Sequence, residues 1–353
     1  MIIYYPFNHY NPSYRSELFP LLKAFIKGDR FTDEERKTLY GVSDVDYLIT
    51  DLMSNADIVI LPMSWYYYTK TDQLDLANKV IIEAGKQGKI VWSINTGDFG
   101  VKTPFFNNLI VFRQGGYVSN YQKGHCGYPP FVDDYLMKNN LNTNYLNMTY
   151  GSKPVVGFCG QANSSVLNTV EEILKQYLRN LRTKIGFSYF EKQKVLSTSY
   201  LRASLLNKLE NNKLIDCNFI KRKAYRAGLK KGESRTKTTN TFYKNMLESQ
   251  YVLCVRGAGN FSVRFYETLM MGRIPIYVDT DGYLPLEKKI DWKKHVVWVD
   301  YNDRHRIDEI LLEFHQNLNE EDLMLLFKKN RKIWKEKLTL SGFFQSAETF
   351  KCL

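Results

Sequence analysis

Residues 254–277 read CVRGAGNFSVRFYETLMMGRIPIY, and the order of elements in that stretch decides the fold. A strand over Tyr251 to Val255 runs into a loop holding Gly257 and Gly259. A helix opens near Ser262, and a second strand covers Ile274 to Val278. Strand, glycine loop and helix start together form an anion-binding arrangement. Glycine lets the main chain approach a charged group, and a helix start offers unpaired N–H groups at the positive end of its dipole. Arg264, Glu267, Thr268 and Met271 recur at i, i+3, i+4 and i+7 and share one helix face, with Phe265 and Leu269 on the neighbouring core stripe. Arg264 is placed to meet a diphosphate and Glu267 to accept both hydroxyls of a ribose. The same spacing also suits an ion pair on a solvated helix face, and these residues alone leave both readings open.

The longer run R-G-x-G-x-x-S-x-R-F-x-E-x-L-x-x-G-x-I-P spans Arg256 to Pro275. It is preceded by Tyr243, Met246 and Ser249 and followed by Pro285 and Ile290-Asp291-Trp292. It resembles the signature of the exostosin family of glycosyltransferases over about residues 150 to 340, and the first 150 residues resemble that family only loosely. The resemblance implies an α/β chain of GT-B architecture, with two Rossmann-like domains facing each other across a cleft. It also implies an inverting transfer of a sugar from a nucleotide donor, UDP-linked, to a glycan acceptor in surface polysaccharide or glycoconjugate synthesis. Arg256, Gly257, Ser262 and Arg264 would meet the donor diphosphate, taking the place of a metal ion, and Glu267 the ribose. Two rivals stay open. One is a GDP-fucose-dependent fucosyltransferase of the same architecture, and the other a non-catalytic glycan- or nucleic-acid-binding protein.

A length of 353 residues suits two domains, and 44% hydrophobic with 14% aromatic residues implies filled cores rather than disorder. The formal charge of +12 calls for an anionic partner. The five cysteines form no C-x-x-C pair, which argues against a zinc framework. The N-terminus has no basic region leading into an apolar run, and no run of 18 apolar residues occurs. The animal exostosins are membrane-anchored Golgi proteins. This chain is expected to be a cytosolic, bacterial-type relative with peripheral contact at the inner membrane face and a carbohydrate or lipid-linked glycan as acceptor.

From the N-terminus, Met1 to Tyr5 reads as a strand and Ser13 to Lys27 as a helix, with DRFTDEERK as a polar connection. Ala56 to Leu61 is a buried parallel strand, Asp72 to Gly88 an amphipathic helix, and Lys89 to Ile94 and Leu109 to Phe112 further strands. This alternation predicts a parallel α/β domain, 1–150, with ligands beyond the carboxyl ends of its strands. Trp65 to Tyr68 would then form either a sugar platform or loop packing against the second domain. Asp98, in NTGDF, is a candidate general base, and His125, in KGHCGYPP, is the other. Polar residues 138–152 read as the linker.

The second domain, 151–330, opens with the strand Pro154 to Cys159, ending at Gly160. Val166 to Leu181 is a helix with Val170, Ile173, Leu174, Tyr177 and Leu181 as its apolar stripe. Ile215 to Ile220 is a strand, and Thr239 to Glu248 a helix. Lys221, Arg222, Lys223, Arg226, Lys230, Lys231, Arg235 and Lys237 form a basic run. With no nucleic-acid-binding motif beside it, that run is read as meeting the donor diphosphate or an anionic acceptor, Arg222 first. Asp279-Thr280-Asp281 has the D-x-D form of a GT-A metal site, but the resemblance puts a variable loop there, so no metal is expected. Trp292 to Val299 reads as a strand, then Ile307 to Phe314 and Glu320 to Leu338 as helices. Residues 331–353 are expected to pack back on the first domain.

Overall fold

Short β-branched and aromatic runs separated by helices build two parallel sheets in the computed structural model, which describes residues 1–26, 31–120, 122–141, 148–222 and 236–347. The first sheet contains β1 (Ile2–Tyr4), β2 (Leu48–Ile49), β3 (Ile58–Ile60), β4 (Ile90–Asn95), β5 (Leu109–Arg113) and β6 (His125–Gly127). Their order is β2-β1-β3-β4-β5-β6, every pairing parallel. β3 and β5 are buried along their whole length, the pattern of strands covered on both faces.

The second sheet contains β7 (Val155–Gln161), β8 (Asp216–Arg222), β9 (Tyr251–Cys254), β10 (Ile274–Asp279) and β11 (Val297–Asp300), ordered β11-β10-β9-β7-β8, again all parallel. From β7 the sheet grows one way through β8 and the other way through β9. Connections at such a switch point leave by opposite faces, and a crevice opens beyond the carboxyl ends of the two central strands. The GT-B architecture expected from the sequence is what the two sheets and the cleft between them display.

Several local expectations are corrected. Over 13–26, the described part of the stretch expected as a helix, there is no α-helix. Two 3-10 segments, Pro12–Glu17 and Pro20–Ala24, each start on a proline, and Pro20 inside a longer helix would remove a donor and clash with the preceding turn. The polar connection contains instead the helix α1 (Asp33–Tyr40). A capping box between Thr32 and Glu35 opens it, and Gly41 ends it at φ 65°. Trp65 to Tyr68 begins the helix α2 (Trp65–Lys70), capped by Ser64. Trp65, Tyr67 and Tyr68 are buried, and Trp65 donates to Ser93 Oγ at 2.9 Å. Tyr66 alone turns outward, and it stacks on Phe190 of the second unit with the rings 9° from parallel. Of the two readings of this cluster, packing against the second domain holds for Tyr66 alone, and the other three rings belong to the core of the first unit. In place of a strand from Trp292, a 3-10 turn (Trp292–Lys294) precedes β11.

The helices α3 (Leu74–Lys86) and α4 (Tyr135–Lys138) complete the first unit. The second carries α5 (Val166–Lys184), α6 (Thr198–Glu210), α7 (Thr236–Leu247), α8 (Val263–Met270), α9 (Ile307–Gln316) and α10 (Glu320–Ile333). A π-helical turn (Trp334–Leu338) then leads into α11 (Leu340–Ala347). Phe343 and Phe344 of α11 sit among Phe19, Trp92, Phe112, Tyr128 and Phe131 of the first unit. The apolar stripe of α5 meets no such partner and faces solvent.

Candidate functional site

The crevice at the β7/β9 switch is a cleft of about 920 Å³, at the upper end of the range usual for small-molecule sites. Its charged lining comprises Lys175, Arg179, Lys194, Arg202, Arg222, Arg256 and Arg264 against Asp98, Glu172 and Glu267. Seven cations facing three carboxylates suit an anionic ligand.

Arg264 sits in the first turn of α8, and its guanidinium lies across the switch point. Nη2 donates to Cys159 O of β7 at 2.9 Å, and Nη1 to Leu253 O of β9 at 3.5 Å. The ring of Phe158 lies 4.3 Å from the guanidinium carbon and that of Phe242 5.6 Å, which fixes the plane of the group. Burial lowers its pKa, countered by Cys254 and Glu267, yet an arginine stays charged. Its Nε–H is buried with no acceptor among the described residues, a state that calls for an explanation. Gly160 explains how the group fits, because a Cβ there would stand 2.5 Å from Nη2.

Glu267, one turn further along α8, accepts from Tyr243 Oη at 3.3 Å. Burial pushes its carboxyl above the usual carboxylate range, against the pull of Arg264 and Tyr243. Arg264 directs its N–H groups to main-chain carbonyls rather than to Glu267, so the solvated ion-pair reading of α8 does not hold. Thr268 and Met271, expected on the same face, are buried beneath it. Ser262 stands at the N-cap without a side-chain capping bond and lines the cleft, as does Gly257. Arg222, at the end of β8, donates to Thr238 O at 3.1 Å. The other cations of the basic run from 223 to 235 lie outside the described residues.

Of the two proposed first-domain residues, Asp98 is exposed on the cleft wall. Its main chain touches the glycine loop so closely that a Cβ on Gly259 would lie 2.6 Å from Asp98 O. His125 is not on the cleft. It is buried at the start of β6, where Arg113 Nη1 donates to Nδ1 at 3.1 Å. An arginine only donates, so Nδ1 is the acceptor and Nε2–H donates to Thr103 Oγ1 at 3.0 Å. Burial, with the Arg113 charge, lowers its pKa to about 4. The role left to His125 is structural, since both ring nitrogens are engaged away from the cleft.

The residues that sequence reasoning missed hold the two walls together. Tyr117 Oη accepts from Arg256 Nη1 and from Lys194 N, each at 2.9 Å, and donates to Gln193 Oε1 at 3.2 Å. Arg256 is buried and also donates to Ala258 O at 3.1 Å, so it links the walls as well as lining the cleft. Asn260 Nδ2 donates to Gly116 O at 2.8 Å across the same seam. Asp281, from the D-x-D triplet, accepts from Ser119 N at 2.8 Å and pairs with Lys194 at 3.0 Å, which turns this carboxylate to joining the units. Burial pushes the Glu172 carboxyl up, but hydrogen bonds from Ser199, Ser197 and Asn168 outweigh it and hold the pKa low. Glu172 is therefore a fully partnered anion.

A probable glucuronosyltransferase of Oryza sativa subsp. japonica is 32% identical over 110 residues, 31% of this chain and 21% of that protein. Exostosin-1 of Drosophila melanogaster is 30% identical over 93 residues, 26% of this chain and 12% of its own. The matched stretches thus span less than a quarter of those relatives. Among solved structures, Anabaena Alr3699/HepE in complex with UDP-glucose aligns over 100% of this chain and 99% of its own, with 8% identity and a TM-score of 0.34. The sequence profile of the Exostosin GT47 domain matches residues 137–314, half of the chain, and the protein belongs to that family.

Proposed function

We propose that the protein is an inverting glycosyltransferase that moves a sugar from a UDP-linked donor onto a carbohydrate acceptor. The observation that carries this reading is the Arg264 guanidinium, braced across the β7/β9 switch in a cation-rich cleft, its Nε–H without an acceptor among the described residues. The relatives named glucuronosyltransferase and exostosin support the same class.

In this reading the donor diphosphate lies at the start of α8, against Arg264 and the glycine loop, and Glu267 receives the ribose hydroxyls. The acceptor oxygen attacks the anomeric carbon and the bond to the diphosphate breaks. Asp98 takes the acceptor proton, and Arg264, with Arg222 beside it, meets the charge arriving on the leaving group. No step is assigned to a metal ion, and transfer is expected to persist in a chelator, with complete loss in EDTA arguing for one.

Calorimetry tests the donor side. The wild-type protein should bind UDP in preference to GDP, and Arg264→Ala and Glu267→Gln should each weaken UDP by tenfold or more, the scale of one lost charge-assisted contact. Preference for GDP would favour the fucosyltransferase reading. Wild-type UDP affinity in both variants would remove the assigned roles.

A further inference from the structure

The helix α5 is mounted with its polar face against the protein and its apolar face outward. Glu172, Gln176 and Arg179 point into the cleft. On the other side Val166, Val170, Leu174, Leu178, Leu181 and Ile185 form a continuous stripe at helical spacing, with Val166 75% exposed and Leu174 54%. Phe187, just beyond the helix, is 84% exposed and extends the stripe. Where a single βα unit would return directly along the sheet, α5 stands between β7 and α6. It is α6 whose Leu205, Leu206 and Leu209 enter the core. The core accordingly makes no demand for the apolar side chains of α5.

The border of this stripe is cationic. Arg182 and Lys184 are exposed at its edges, and Lys192 is exposed in the segment that follows the helix. The acids of the same stretch are already engaged, Glu171 by Lys175, Glu172 by Ser197 and Ser199, and Glu191 by Arg113. A surface helix with protruding apolar side chains and a basic rim suits the interface of an anionic bilayer, where the stripe enters the acyl boundary and the rim meets headgroup charge. A second copy would set one cationic rim against another.

We propose that the outward face of α5 docks this protein on an anionic lipid surface, with the cleft opening beside it. The docking does not depend on sugar transfer. Its consequence for the substrate, an acceptor glycan carried on a lipid, rests on the glycosyltransferase reading, and vesicle binding and transfer assays can fail separately.

Flotation of the full chain with phosphatidylcholine vesicles and with mixed phosphatidylcholine–phosphatidylglycerol vesicles tests the proposal. Wild-type protein should float with the mixed vesicles and far less with the neutral ones. The double variant Leu174→Glu, Leu178→Glu should lose about tenfold or more of that partition, with its circular dichroism and UDP affinity unchanged. Arg182→Glu with Lys184→Glu should weaken binding and flatten its salt dependence. No flotation of the wild type, or equal flotation of the apolar double variant, would overturn the assignment. So would a wild-type dimer in light scattering that the apolar variant converts to monomer, which gives the face to a second copy.

Discussion

Gly160→Ala separates the position of the Arg264 guanidinium from its presence. The new Cβ would lie 2.5 Å from Nη2, whereas ordinary contact begins at 3.4 Å, so the group must withdraw by the difference, about 0.9 Å. The bond from Nη2 to Cys159 O, 2.9 Å long, does not survive a shift of that size. Phe158 and Phe242 stand beside the guanidinium, so its way out leads toward the cleft. The stability cost is moderate. One hydrogen bond from a charged group, worth about 1.5–3 kcal/mol, is lost, and alanine restricts the unfolded chain by about 0.4–1 kcal/mol in partial compensation. The functional cost is larger, since a misplacement of about 1 Å in a positioning group lowers turnover by about 100-fold. Urea unfolding should therefore place Gly160→Ala within about 2.5 kcal/mol of wild type, while UDP-sugar turnover falls by one to two orders of magnitude. Turnover within twofold of wild type, in a variant that folds normally, would refute the argument that the location of this cation matters.

Other outcomes follow from the same geometry. Asp98→Asn should lower turnover by about 100-fold with donor affinity unchanged in calorimetry, and unchanged turnover would remove it as the base. Tyr117→Phe deletes the oxygen that accepts from Arg256 and Lys194, leaving a buried cation short of a partner, and should destabilise the protein by about 2–4 kcal/mol in urea unfolding. His125 has a folded pKa of about 4 against 6.5 when unfolded. The neutral ring's contribution is therefore present above pH 6.5 and is lost as pH falls toward 4, by up to about 3 kcal/mol. The stability gap between wild type and His125→Gln should narrow by about that much between pH 7 and pH 4, and a gap independent of pH would contradict it.

The cleft-lining run on α8 and its loop was legible because its parts are local. Arg256 to Glu267 are twelve consecutive positions on a loop and one helix, and their spacing states which side chains share a face. The strands β3, β4, β5 and β7 announce themselves as apolar runs. What was not legible depends on contacts between distant segments. Nothing in the sequence around Gln193 or Lys194 says that this stretch crosses to Tyr117, and nothing around Asp281, where no metal was expected, says that it meets Ser119. His125 illustrates the same limit, since histidine is the usual acid–base residue until Arg113 and Thr103 are seen to occupy both of its nitrogens. The helix α5 shows it from the other side. An amphipathic pattern reveals that two faces differ without revealing which one turns toward the protein.

The seating of Phe343 and Phe344 among Phe19, Trp92 and Phe112 has a consequence for how the chain acquires its structure as it is made. The first sheet is complete once β6 has been synthesised, yet one side of its aromatic core stays uncovered until α11 emerges roughly 200 residues later. At ~5–20 residues per second, the nascent first unit carries an open apolar surface for ten seconds or more. That interval favours chaperone capture over autonomous folding, and a ribosome-stalled fragment ending before α11 should remain bound where the full chain is released.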